Sequence, residues 1–228
     1  MFLKEIIFPK FCLGCGAIGS YLCLNCRKKI KPANSNRCFY CKKLSYNGLT
    51  HAFCLKNLSI DGFFSVFYYN CFLKKIIKNI KYQLAKEIIY ELLETTSPYL
   101  LNNLGFYKKL FTNAKIQPIP LAKERFNKRG FNQAQIIGKF FSHIFNLPLI
   151  DVLERKKSTP YLSQTKDKKE RVLIMRGAFA LKKNIIFKEK KIIIVDDILT
   201  TGATVKEAAR VLKRNKVEKV YVFTLARS

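Results

Sequence analysis

Acidic side chains are scarce in this chain. Its 228 residues include 15 aspartates and glutamates against 43 lysines and arginines, a formal net charge of +28 at pH 7. A polycation of this strength suggests a polyanionic partner, nucleic acid first. No basic tail carries the excess: residues 1–60 hold 10 basic and 1 acidic side chains, and residues 61–228 hold 33 and 14. Abundant Lys, Ile, Asn and Phe offer a second source of the charge, compositional drift of the kind an AT-rich genome produces. Drift accounts for lysine outnumbering arginine, but not for the shortage of acids.

Long apolar runs are also missing, so no segment is expected to cross a bilayer. The opening MFLKEIIFPKFC lacks a basic leader, a long apolar stretch and a small-residue cleavage site. A cytoplasmic protein is expected, peripheral attachment to the inner face of the membrane remaining open. Its eight cysteines then read as reduced thiols or metal ligands, not disulfides. Hydrophobic residues make up 49 %, which excludes disorder, and the length suits one ordinary domain plus a small module.

Seven of the cysteines fall in pairs. CLGC (Cys12, Cys15), CLNC (Cys23, Cys26), CFYC (Cys38, Cys41) and HAFC (His51, Cys54) occupy 43 residues. A two-residue spacer lets one tight turn aim two donors at one ion, the spacing of tetrahedral zinc. Gly14, Gly16 and Asn25 suit such turns. Sequential pairing would give Cys12, Cys15, Cys23 and Cys26 for one site and Cys38, Cys41, His51 and Cys54 for the other; interleaving and single occupancy stay open. All positions are filled by protein donors, so the zinc is structural, a staple for a segment with too little core of its own. Cys71 lies outside the pairs and reads as a small core residue. His143, between aromatics on an expected helix, reads as structural.

The run IIIVDDILTTGAT spans residues 192–204. Ile192 to Val195 form a continuous apolar stretch, which fits a central parallel strand covered on both faces. Asp196 and Asp197 stand where that strand emerges. A small polar loop follows, then a helix with Val205, Ala208, Ala209 and Leu212 on one face. Loop amides and a helix N-terminus hold phosphate, the threonines add hydroxyl donors, and Gly202 allows close approach and a positive φ. Two carboxylates one step earlier can accept hydrogen bonds from vicinal hydroxyls. The set describes a ribose 5-phosphate site, and no G-x-x-x-x-G-K-[ST] loop competes with it.

That run resembles the 5-phosphoribosyl-1-pyrophosphate (PRPP) motif of type I phosphoribosyltransferases across all thirteen residues. The resemblance implies catalytic and ribose-binding roles for Asp196 and Asp197, with Thr200, Thr201, Gly202, Ala203 and Thr204 around the 5-phosphate. PIPLAKERFNKRGFNQAQ (118–135), YNCFLKKIIKNIKY (69–82), LERKKSTPYLSQTKDKKERVLIMRGAF (153–179) and the closing TLARS resemble the ComF family of competence-associated proteins, as does the cysteine-rich front, which is similar to that family's double zinc ribbon. The fold so implied is α/β: a type I phosphoribosyltransferase-like parallel sheet flanked by helices over residues 59–228, with a small N-terminal zinc-ribbon module over 1–58. Arg125 and Arg129, read as lying in a loop, would face the pyrophosphate. A mobile loop within 153–179, with a short helix after it, would close over the site and bring Gln164 and Arg171 to the ligand. The resemblance also implies two Zn²⁺, Mg²⁺ with the PRPP, single-stranded DNA as a partner, and other competence proteins such as a DNA-translocating helicase. There are departures: His51 stands where a cysteine is usual, glycines are missing after Tyr69 and Tyr82, and Met175 or Arg176 replaces an asparagine.

Elsewhere, Asn132 and Gln133 are expected to cap a helix or face the site, and Phe131, Ile136, Phe140 and Ile144 to lie on or near that helix's buried side. Residues 71–82 place Phe72, Leu73, Ile76, Ile77 and Ile80 on one helical face and Lys74, Lys75, Lys78 and Lys81 opposite. Such a helix can track a phosphate backbone, rest on a membrane surface, or simply pack on a core with its lysines solvated. Two functional readings follow: an enzyme transferring phosphoribose from PRPP to a nucleobase or amine, or a PRPP-binding protein that handles single-stranded DNA during transformation. No base-specific hood is evident beyond the metal module and residues 83–113.

Overall fold

The computed structural model describes residues 9–33, 36–82, 86–158, 167–183, 185 and 188–227. Gln164 and the side chain of Lys81 lie outside them. In chain order the elements are α1 (Leu24–Arg27), β1 (Gly62–Tyr68), α2 (Cys71–Tyr82), α3 (Lys86–Leu101), α4 (Leu104–Leu110), β2 (Lys115–Pro118), α5 (Lys123–Arg129) and α6 (Gln133–Phe145). Then come β3 (Leu153–Arg155), α7 (Lys168–Met175), β4 (Phe179–Leu181), β5 (Lys191–Leu199), α8 (Ala203–Arg214) and β6 (Lys219–Arg227).

Four strands form one parallel sheet in the order β1-β6-β5-β2. A parallel pair needs a crossover, and α8 makes the one between β5 and β6. Side chains alternate along β5: Ile193 and Val195 join one core, Ile192 and Ile194 the other. The first core is aromatic, with Phe141 and Phe223 ring centroids 4.5 Å apart. The second holds Val205, Ala208, Ala209 and Leu212 of α8, the face its spacing predicts. β3 and β4 make a separate antiparallel pair at the base of the segment 156–178.

The cysteine-rich module is stitched to the sheet. Ala33 donates its amide to the Val66 carbonyl at 2.8 Å and Tyr68 donates to the Lys31 carbonyl at 3.0 Å, so residues 31–33 cover the outer edge of β1. Leu22 and Ile30 enter the aromatic core, and Phe39 enters the other.

Local expectations fare unevenly. Leu73, Ile76, Ile77 and Ile80 are buried and Lys74, Lys75 and Lys78 exposed, as the pattern of α2 predicts. Arg125 and Arg129, expected in a loop, lie on α5 instead; Ala122 precedes that helix and Gly130 ends it at φ 73°. The buried face of α6 is Ala134, Ile137, Gly138, Phe141 and Phe145, with Ile136, Phe140 and Ile144 only partly covered. Cys71, expected in the core, is exposed at the first position of α2. His143 is exposed in the last turn of α6.

Candidate functional site

β5 continues four residues past its apolar run, to Leu199. On the β2 side its ladder ends at Val195, whose carbonyl takes the Ile119 amide at 2.9 Å. On the β6 side pairing continues through Asp196↔Thr224 to Leu199↔Arg227. The two acids therefore sit inside the strand, past the end of β2, at the carboxyl edge where α/β sheets bind ligands. Both are half-buried. Asp196 Oδ1 accepts the Asp197 amide at 2.8 Å, and Asp197 Oδ1 accepts the Ile198 amide at 2.7 Å. These short local bonds fix both carboxylates.

The loop after them is built for close backbone approach. Gly202, buried and left-handed at φ 77°, is the N-cap of α8 and contributes no side chain to it. Thr201 Oγ1 accepts the Ala203 amide at 3.4 Å. Thr200 is exposed, while Thr201 and Thr204 are half-buried.

Two of the expected arginines converge on this edge, and one was missed. Arg155, at the end of β3, is held down at about 10 by burial, then by the charge of Arg125, with Asp196 opposing. Arg125, Arg155 and Asp196 thus share one field. Nothing singled out Arg155 beforehand; its only trace is a charged residue ending a short apolar stretch, VLER. Arg129 is buried at the end of α5. Asn132 caps α6 by accepting the Ala134 amide at 3.1 Å and donates to the Ile119 carbonyl at 2.9 Å, which ties α6 to the strand end. Gln133 is buried.

Arg171 of α7 shares a cavity with the threonine loop. That cavity, of about 510 Å³, is lined by Thr200 and Thr201 together with Arg171, Arg227, and Arg37 and Lys42 of the cysteine-rich module. No local pattern in the sequence joins residue 37 to residue 200. Glu207 of α8 accepts the Gly177 amide at 2.7 Å and pairs with Arg210, so α8 also anchors the end of the 156–178 segment.

Cysteine donors assemble in sequential order. Cys12, Cys15, Cys23 and Cys26 form one set and Cys38, Cys41, His51 and Cys54 the other, each with donor atoms within 4.8 Å of one another. Tetrahedral zinc–thiolate bonds of about 2.3 Å put sulfurs roughly 3.8 Å apart; Cys15 and Cys23 sulfurs are 3.6 Å apart. The Leu44 carbonyl can only accept, so His51 Nε2, 3.0 Å away, carries the proton. Nδ1, 3.3 Å from Cys41 Sγ, then presents its lone pair to the set. Burial opposes the Cys12 thiolate, yet the amides of Cys15, Cys23 and Gly14 bring it down to about 6; burial and the neighbouring thiols push Cys26 up to about 12. Cys38 and Cys54 divide in the same way, about 6 and about 11. Such a set resists full ionisation unless a cation sits among the sulfurs. Each can hold one tetrahedral metal ion.

The helix that carries Lys74, Lys75 and Lys78 starts against the cysteine-rich module. Asn70 at the start of α2 caps that helix through the Leu73 amide, 2.8 Å, and donates to the Lys29 carbonyl at 3.0 Å. No helix among the described residues is long and apolar enough to cross a membrane.

The family described as phosphoribosyl transferase domain matches residues 129–228. Competence protein ComFC of Bacillus subtilis is 30 % identical over 220 residues, covering 91 % of this chain and 84 % of the relative. Competence protein F of Haemophilus influenzae is 31 % identical over 115 residues, about half of each chain. DNA utilization protein YhgH of Escherichia coli K12 is 30 % identical over 118 residues, 50 % of this chain and 49 % of the relative.

Proposed function

The chain belongs to the ComF family of competence proteins, and we propose that it binds PRPP at the loop between β5 and α8 while handling single-stranded DNA during DNA uptake. One observation carries the reading: two half-buried carboxylates and a glycine-capped helix start share the carboxyl edge of the sheet with Arg125, Arg155 and Arg171. Asp196 and Asp197 accept from the ribose hydroxyls. Thr200 to Thr204 offer amides and hydroxyls to the 5-phosphate at a helix N-terminus. Arg125, Arg129 and Arg155 supply the planar donors that suit a pyrophosphate, and Arg171 contacts the ligand from α7.

Hard oxygen donors suit Mg²⁺, and the acid pair is such a set; arriving with PRPP, the ion would neutralise charge on the pyrophosphate. Zn²⁺ at the two cysteine-rich sets is structural, since each set already has four protein donors. The net charge of +28 supports a nucleic-acid partner. A DNA-translocating helicase of the uptake machinery is a further candidate partner, drawn from the family alone.

A second reading, transfer of phosphoribose to a nucleobase or amine, is favoured by half-buried Arg155 in the field of Asp196, a cation where a leaving pyrophosphate would build up charge. The deciding experiment is a paired titration of purified protein with PRPP and a single-stranded oligonucleotide. Calorimetry should give PRPP binding in the wild type and none in Asp196→Ala/Asp197→Ala, with metal content unchanged. Equal PRPP affinity in the double variant would remove the site, and release of pyrophosphate with an added acceptor would favour the enzyme.

A further inference from the structure

Phe39 lies between two metal-donor cysteines, and its ring touches the phosphate loop. A Cβ built on Gly202 would come within 2.7 Å of Phe39 Cζ and 3.1 Å of Cε2. The ring is 2 % exposed and stacks edge-on against Phe63. Lys206, in the first turn of α8, rests its ammonium over both Phe39 and Tyr40, 5.5 and 5.6 Å from the ring centroids. Tyr40 Oη in turn accepts the Ile60 amide at 2.8 Å.

The turn that carries these rings is small. Lys42 donates its amide to the Cys38 carbonyl at 3.1 Å and its ammonium to the Phe39 carbonyl at 2.6 Å, and Cys38 donates to the Lys43 carbonyl at 2.9 Å. A metal ion bound by Cys38 and Cys41 would pin both ends of the turn, and with them the ring. The first set packs differently. A Cβ on Gly14 would meet Phe72 of α2, and Glu91 of α3 accepts the Tyr21 and Leu22 amides at 3.2 and 2.7 Å.

We propose that the second metal set and the phosphate loop are one coupled unit, with Phe39 as the positioning residue that joins them. Metal at Cys38, Cys41, His51 and Cys54 holds the ring against Gly202, which sets the left-handed cap and the direction of the first amides of α8. A sugar phosphate seated on those amides holds the same ring in return. The inference rests on the phosphate-site reading above and adds to it a link between metal and ligand. Arg37 and Lys42 flank this turn and line the same cavity as Thr200 and Thr201, so the coupled unit would include that cavity.

Coupling between two binding sites is reciprocal, so unmodified protein suffices for the test. Zinc affinity is measured by competition with a chromophoric chelator, with and without saturating PRPP, alongside calorimetry of PRPP itself. One of the two zinc equivalents should bind about fivefold or more tightly with PRPP present, the low end of ordinary coupling, and the other should not change. PRPP binding with neither equivalent altered, or both altered equally, overturns the coupling and leaves the phosphate site standing. No PRPP binding overturns both. Phe39→Ala is the second arm: it should bind two zinc and bind PRPP several-fold more weakly, with the zinc shift gone. A shift that persists in this variant removes Phe39 from the link.

Discussion

Asp61 holds Lys213 of α8 at 2.7 Å in a buried ion pair, their side chains 7 % and 14 % exposed. The same carboxylate takes Lys219 at 3.0 Å and the Val220 amide at 2.9 Å, while the Asp61 amide donates to the Val220 carbonyl at 2.8 Å. One residue just past the cysteine-rich module thus binds the last turn of α8 and the first residues of β6. Removing one partner of a buried pair leaves the other charge without compensation. Asp61→Asn should cost about 3 kcal/mol in denaturant unfolding with zinc present. Lys213 Nζ also donates to the Glu218 carbonyl at 2.6 Å, and a loss below about 1 kcal/mol would mean that this acceptor suffices.

Glu207 gives the fold a dependence on pH. Burial alone would raise its pKa, but Arg210 and the Gly177 amide outweigh burial and hold it below 4.5. A depressed carboxylate contributes stability that is present above the unfolded value and is lost as pH falls through the folded one. Glu207→Gln should therefore lower the melting temperature at pH 7, and the gap to wild type should close as pH drops below 4.5. Comparing the two proteins cancels the acid lability they share at the metal sets. A gap that stays constant down to pH 3 would contradict this account.

The parts legible in the sequence were the local ones. Ile192 to Val195, the acid pair and TTGAT announce a strand, a turn and a helix start within thirteen residues, and the cysteine spacing announces the two metal sets. Arg125 and Arg129 were misread as loop residues because the prolines before them mark a break, while the helix that follows depends on Ala122 and Gly130. Cys71 was misplaced because a cysteine in an apolar helix is usually buried; this one opens the helix on its lysine side. The contact of Phe39 with Gly202, and the approach of Arg155 to Asp196, join residues 163 and 41 positions apart. No periodicity in one chain encodes such distances. The first follows from the sheet order, which sets β1, with the module hydrogen-bonded along its edge, beside β6 and one strand from β5.

Gly14 tests the first metal set. A Cβ there would lie 2.5 Å from Cys26 Sγ and 2.9 Å from Phe72 Cε2, too close for any real contact. One obstruction is a metal donor and the other a ring of α2, so relief must open the set or displace the helix. Gly14→Ala should bring metal content from about two per chain to about one, with the second set filled. Full content would show that α2 yields instead, and the cost would then appear in thermal unfolding.

Replacing the lysines of α2 tests where the proposed nucleic-acid partner would lie. Lys74, Lys75 and Lys78 are exposed on one face, and the opposite face is buried by Leu73, Ile76, Ile77 and Ile80, so the lysines can change without touching the core. Each phosphate contact on a single strand contributes about 0.7 to the slope of log K against log salt. If all three lysines contact phosphates, replacing them with glutamine should lower the magnitude of that slope by about 2, with PRPP affinity and melting temperature unchanged. The loss should be alike for oligonucleotides of different sequence, because a phosphate contact reads no base. An unaltered slope would clear this helix and turn attention to Arg37, Lys42 and Arg171 around the cavity. Binding there should compete with PRPP, whereas binding along α2 should not.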